Sequence, residues 1–222
     1  MATLGRVLSS SVGTRVVIGA TGLALFLYLI LHLVGNALIF AGADTFNGYS
    51  HALISNPLIV PVELGLLALF VIHIYETLTN YRANAAARPI GYSLNRPAGR
   101  TSRKSVASST MIVSGLVVLL FVLVHVKQFK YGAWHETAGP NAIRDLYRTE
   151  VEVFRQPLWV AFYVICTLAA ALHLRHGIAS GFQSLGIDHP VYTPRLTTWG
   201  VVLAIVIGGG LAVIPVLVYL IS

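Results

Sequence analysis

Charge is what this chain has least of. Only 10% of its 222 residues are Asp, Glu, Lys or Arg, where soluble domains carry about 25%. So few charges cannot make a water-facing skin, which excludes an ordinary globular protein. Cysteine is scarcer still, with Cys166 alone. One thiol makes no disulfide framework, no Cys-x-x-Cys-His attachment for covalent haem, and no thiolate cluster for zinc or iron–sulfur. Cys166 lies inside a long apolar run and reads as a small packing residue. Acids are few as well, 8 against 15 Lys and Arg, and the link over residues 83–105 has none.

What the chain has instead is apolar length. Hydrophobic residues make up 56% of it, and its mean hydropathy is +0.76. Five stretches, near 15–41, 57–82, 106–130, 157–182 and 197–221, are each long enough to cross a bilayer, which takes about 20 helical residues. The fold class expected is therefore an all-α membrane protein: five transmembrane helices in one bundle, a single domain over 1–222. Pro57 and Pro157 each stand where a helix opens, a place proline tolerates. The first run exceeds the roughly 7–15 apolar residues of a cleavable signal core, so it reads as retained. In the fifth run, Gly208-Gly-Gly210 and Pro215 imply close packing and a bend. That run carries no histidine and reads as scaffold.

The net charge of +7 follows topology and is no sign of nucleic acid. Arg82, Arg88, Arg96, Arg100, Arg103 and Lys104 crowd the link between spans two and three. The positive-inside rule then puts the N-terminus, the 83–105 link and the 183–196 link in the cytoplasm. Links 42–56 and 131–156 and the C-terminus face outward. The basic link reads as a solvated flank or as a docking surface for a cytoplasmic partner. In the outer link, Asn141 to Phe154 has apolar residues at helical intervals and is expected to lie flat on the membrane surface.

Four histidines organise the rest: His32, His73, His125 and His173, one in each of the first four spans. An ionisable residue inside a spanning helix is costly and marks function by default. Their depths follow from helical rise. His32 lies 17 residues past Arg15, about 25 Å from the inner side. His125 lies 21 residues past Lys104 on a helix running the same way. His73 and His173 each lie 16 residues past a proline on the outer side, about 24 Å down. The four therefore sort into an outer pair, His32 with His125, and an inner pair, His73 with His173. Facing imidazoles at one level form an axial ligand pair for an iron porphyrin, and bound iron satisfies a nitrogen that lipid would leave unpaired. Zinc would gather its ligands at one depth, and a proton relay would scatter Asp, Glu and His along one route. Two haem b groups stacked across the bilayer are the expectation.

Around these, Gly35 and Asn36 share the His32 face and read as haem surroundings, or as a packing seam with a polar clamp. His176, one turn past His173, reads as a propionate-binding or an interfacial residue. His51 reads as a surface histidine or a ligand-site residue. Glu63 reads as a proton-handling group, or as one that faces the headgroup region or pairs with a neighbour. Glu76 follows His73 by one turn. The small residues Ala169-Ala-Ala171 leave room beside His173.

On these residues the chain resembles the cytochrome b membrane subunit of succinate dehydrogenase and fumarate reductase, in the five-helix, two-haem, single-polypeptide form. The matching elements are His32-Leu-Val-Gly-Asn36, His73, His125-Val-Lys-Gln-Phe-Lys-Tyr131 and His173-Leu-Arg-His-Gly-Ile-Ala-Ser-Gly-Phe-Gln-Ser-Leu-Gly186. The resemblance selects His173 over His176 as the fourth ligand and pairs first helix with third, second with fourth. It implies a membrane anchor in the bacterial cytoplasmic membrane, with an iron–sulfur subunit and a flavoprotein subunit on the cytoplasmic side. Electrons would pass between that subunit and a quinone, menaquinone in this type, and the complex could form a higher oligomer. A dihaem cytochrome b of the formate dehydrogenase or hydrogenase type, and a non-haem transporter or structural protein, are the alternatives. One departure stands out. Some fumarate reductases of this form carry a proton-moving glutamate two residues before the fourth ligand, and here that position is Ala171.

Overall fold

The structure is a computed structural model that describes residues 10–87 and 110–221. Helix α1 runs Ser11–Ala37, capped by the Ser10 hydroxyl, which accepts the Gly13 N–H at 3.1 Å. A short 3-10 turn, Leu38–Ala41, continues it to Gly42. With φ at 96°, Gly42 takes a conformation that a side chain would resist, and the chain turns into α2, Ala43–Ile54. Then come α3, Ile59–Ala86; α4, Met111–Phe129; α5, Leu146–Phe154; α6, Pro157–Ser184; and α7, Tyr192–Ile221. Five apolar segments are long enough to cross a membrane: α1 with its 3-10 extension, α3, α4, α6 and α7. The protein is a multi-pass, all-α membrane bundle.

Of the two helix openings marked by proline, one differs from expectation. Proline takes the first helical position at Pro157, but α3 begins two residues after Pro57. There the Asn56 side chain accepts the Leu58 N–H at 2.9 Å and closes a turn first. The basic cluster Arg88, Arg96, Arg100, Arg103 and Lys104, with the docking surface expected of it, lies outside the described residues.

Small residues set the packing. At the α1–α6 crossing, a Cβ on Gly19 would lie 2.9 Å from the Gly181 carbonyl, so the backbones meet directly. Helix α7 lies along α6 and also against α1: Gly208 faces Ala171, and Gly210 faces Leu33. Helix α3 packs along α1, and α4 along α6. The four histidine-bearing helices thus run in the order α3, α1, α6, α4, with α7 backing the central two.

One end of the bundle, called upper here, is closed by α2 and α5. Residues 43–54 read as a polar, aromatic link in the sequence, yet they form a helix. Asn, Gly and Ser are poor helix formers, and tertiary contacts override them. Phe46 is buried, and Asn47 clamps the start of α5, donating to Asp145 Oδ1 at 2.8 Å and accepting the Tyr147 N–H at 2.9 Å. The amphipathic stretch expected over Asn141–Phe154 is helical only from Leu146. Before it, Glu136 and Arg144 pair as an antiparallel bridge. Helix α5 buries Thr149, Glu150 and Phe154 against the bundle.

Glu150 is 4% exposed, and burial pushes its carboxyl from 4.5 up to about 8. Between those values the unfolded chain is ionised at this position and the folded one is not. The folded state then holds the extra proton, so stability falls as pH rises from about 4.5 to about 8. The loss is on the order of a few kcal/mol, at ~1.4 kcal/mol per pH unit. Glu150→Gln is expected to flatten that slope, as read from Tm in detergent at pH 5 and pH 8. An unchanged slope would assign the pH dependence elsewhere.

Candidate functional site

Two histidine pairs lie inside the bundle, one above the other. His32 of α1 and His125 of α4 have ring centroids 5.6 Å apart, with planes at 81°. His73 of α3 and His173 of α6 are 6.4 Å apart, at 72°. Since α1 neighbours α6 and α3 neighbours α1, each pair joins helices on a diagonal of the bundle rather than adjacent ones. His32 and His125 form the upper pair, the level expected to be the outer one.

Aromatic rings surround the upper pair. Tyr28 stacks on His32 at 5.4 Å, and Phe121, Phe129 and Tyr163 pack around His125 at 5.6, 5.3 and 6.0 Å. The Tyr28 hydroxyl stands 3.4 Å from His32 Nδ1 and the Tyr163 hydroxyl 3.5 Å from His125 Nδ1. Tyr163 donates its own hydrogen to Gln128 Oε1 at 2.8 Å. In the lower pair, Thr21 faces His73 Nδ1 and Ser114 faces His173 Nδ1, at 3.1 and 3.3 Å. Every one of the four rings therefore has a hydroxyl on Nδ1, which leaves Nε2 for another partner.

Do these residues fit an iron porphyrin? A histidine nitrogen binds a first-row metal at about 2 Å, which puts two rings on opposite sides of one metal roughly 6 Å apart, centre to centre. The observed 5.6 and 6.4 Å bracket that distance. A cradle is present as well. A Cβ on Gly22 would lie 3.0 Å from His73 Cε1, and one on Gly115 3.3 Å from His173 Cε1. One turn past His73, the Thr77 hydroxyl is buried with no hydrogen-bond partner. The donor set, its spacing and its seating fit the group.

The other singled-out residues fall elsewhere. Gly35 faces α2: a Cβ there would lie 2.7 Å from the Tyr49 hydroxyl oxygen. Asn36 donates to the His32 carbonyl at 2.7 Å, so it serves its own helix. His176 sits half-buried on α6. His51 is exposed on α2. Glu63 pairs with Lys130, tying α3 to the end of α4. Reasoning from sequence passed over Thr21, Gly22, Tyr28, Ser114, Gly115 and Tyr163. Hydroxyls and glycines are common in packed apolar helices, so residue type alone does not separate them from scaffold.

No family model matches the chain, and no solved structure matches it significantly. Among curated proteins it is similar to the succinate dehydrogenase cytochrome b558 subunit of Bacillus subtilis (strain 168). The two are 24% identical over 175 residues, which cover 78% of this chain and 79% of that protein. The likeness runs through most of both chains, and this chain has five helices long and apolar enough to cross a membrane.

Proposed function

We propose that this chain is the dihaem b membrane subunit of a succinate:quinone oxidoreductase. It would carry electrons between an iron–sulfur subunit and a membrane quinone, menaquinone by the resemblance. The observation that carries the reading is the two-level arrangement of imidazole pairs across the bundle diagonals. His32 and His125 would hold one haem iron, His73 and His173 the other. When bound, haem supplies a reversible one-electron centre. The protein's part is to bind, orient and keep water out. The apolar helices do the last of these, and Phe121, Phe129 and Tyr163 wall off the upper site.

The spacing of the levels supports a path across the membrane. Thr21, which touches the lower pair, lies eleven residues before His32 on α1, a rise of about 16 Å. That is roughly half of a ~30 Å hydrocarbon core. The basic 83–105 link and the positive-inside rule favour the lower pair as the cytoplasmic one. There the iron–sulfur and flavoprotein subunits would dock, as the resemblance implies. The membrane would be the bacterial cytoplasmic membrane. The chain itself has no dicarboxylate chemistry in this reading; succinate is handled by the flavoprotein.

The complex purified from membranes is expected to show a reduced-minus-oxidised b-type spectrum with two haems per chain. Succinate is expected to reduce those haems in membranes. Near-perpendicular ring planes at both sites further imply a strongly anisotropic low-spin ferric EPR signal. A colourless preparation would end the electron-carrier reading. A coloured one that binds no flavoprotein, and that succinate leaves oxidised, would assign the cytochrome to another complex.

A further inference from the structure

The lower pair rests on two dipeptides at equivalent places on different helices. Thr21-Gly22 is on α1 and Ser114-Gly115 on α4. Thr21 precedes His32 by eleven residues, and Ser114 precedes His125 by eleven. Eleven residues are close to three helical turns, so each dipeptide shares a face with an upper histidine. Both hydroxyls are buried, at 7% and 5% exposure, although α4 buries no residue but Ser114.

Both hydroxyls have a backbone acceptor on their own helix. Thr21 Oγ1 donates to the Val17 carbonyl at 2.7 Å, with the Ile18 carbonyl at 3.2 Å. Ser114 Oγ donates to the Met111 carbonyl at 3.1 Å. A hydroxyl has a single hydrogen. With that hydrogen given to the backbone, each presents lone pairs to the neighbouring Nδ1. With both hydroxyls turned to the backbone, the oxygen facing Nδ1 in each case is an acceptor. Nδ1 carries the hydrogen, and Nε2 presents its lone pair to the space between the rings. Gly22 and Gly115 let the rings approach the helix closely enough for these contacts.

We propose that Thr21 and Ser114 are positioning residues of the lower site, fixing the tautomer and ring plane of His73 and His173 and making both imidazoles stronger iron ligands. This rests on the proposed reading that the lower pair holds a haem. An N–H donated to an acceptor raises the basicity of a ligating imidazole, which favours the ferric over the ferrous state. The upper pair is built differently. Its Nδ1 partners are the Tyr28 and Tyr163 phenols at 3.4 and 3.5 Å, so Thr21 and Ser114 touch the lower site alone. A bland role exists beside this one, since Ser and Thr in apolar helices often bond back to their own carbonyls. That role leaves the haem untouched.

The test uses the whole complex with haem retained through purification, comparing Thr21→Val, Thr21→Ser, Ser114→Ala and Ser114→Thr with wild type. The lower haem is identified as the one missing from His73→Ala. Redox titration and low-temperature EPR are the readouts. Thr21→Val and Ser114→Ala are each expected to move the lower haem's midpoint potential in the positive direction and to shift its ferric g values. The upper haem should stay unchanged, and Thr21→Ser and Ser114→Thr should keep wild-type values. Should Thr21→Val shed the lower haem, its retention in Thr21→Ser supports the same role. Wild-type potentials and spectra in both Thr21→Val and Ser114→Ala would overturn it. So would a shift confined to the upper haem, or loss of the lower haem from the hydroxyl-keeping variants. A colourless wild type would sink the haem reading itself, whereas a coloured wild type with silent variants sinks this inference alone.

Discussion

His73→Ala and His173→Ala are expected to abolish one and the same haem, and His32→Ala and His125→Ala the other. Each site offers one imidazole per side, on helices that face each other across a diagonal of the bundle. At 5.6 and 6.4 Å the rings of a pair are partners, and no third histidine takes part in either ring contact. In the proposed dihaem reading, removing one ring would leave the iron of that site with a single protein ligand, while the other pair would keep both of its own. The expected loss is half of the haem content, with one of two midpoint potentials gone, read by haem extraction and redox titration. Retention of the same haem by His32→Ala and His125→Ala, with the other absent from both, fits the pairing. Loss of the same haem from His32→Ala and His73→Ala contradicts it.

The second large effect is expected at the α6–α7 contact. A Cβ on Gly208 would lie 2.9 Å from Ala171 Cα and 3.3 Å from Ala171 N. These are backbone atoms, which cannot swing aside as a flexible side chain does. Gly208→Leu and Ala171→Glu therefore both wedge the two helices apart. Overpacking costs about 1–3 kcal/mol or more. The glutamate adds the burial of an unpaired carboxyl, several kcal/mol in an apolar setting. Neither variant is expected to accumulate as a haem-loaded complex. Ala171→Gly, which adds no volume, is expected to assemble with wild-type haem content. A stable, red Ala171→Glu protein would show that α7 yields at this contact. The same geometry bears on the departure at Ala171: α7 packs where a larger side chain at that position would have to fit.

The helices and the histidine levels were legible in the sequence because they depend on local quantities. Apolar run length decides a span, and helical rise decides depth. Neither needs knowledge of which helix lies beside which. The surroundings of the rings were not legible, because they are made by residues far apart in sequence. Gly35 shares a face with His32 yet faces Tyr49 of α2, a helix that low intrinsic propensity hides until Phe46 and Asn47 find partners. Asn36 turns to its own backbone. Glu63 finds Lys130 across a helix boundary. Glu150 reads as one more charge on an amphipathic stretch, and only the docking of α5 shows that it is buried. The eleven-residue repeat of hydroxyl, glycine and histidine on α1 and α4 was available to inspection. It has no meaning, though, until the rings of α3 and α6 come to rest on it.

That repeat makes α1 and α4 into rulers, each marked at two heights. An inserted or deleted residue between Gly22 and His32 would slip the markings by about 1.5 Å and turn them by about 100°. Whichever half of the helix held its phase, the other would turn lipid-facing side chains toward the opposite ring. Drift at one level is thereby registered at the other, and the interval between 22 and 32, like that between 115 and 125, should admit substitutions away from Phe26, Tyr28 and Phe121 far more readily than any change of length.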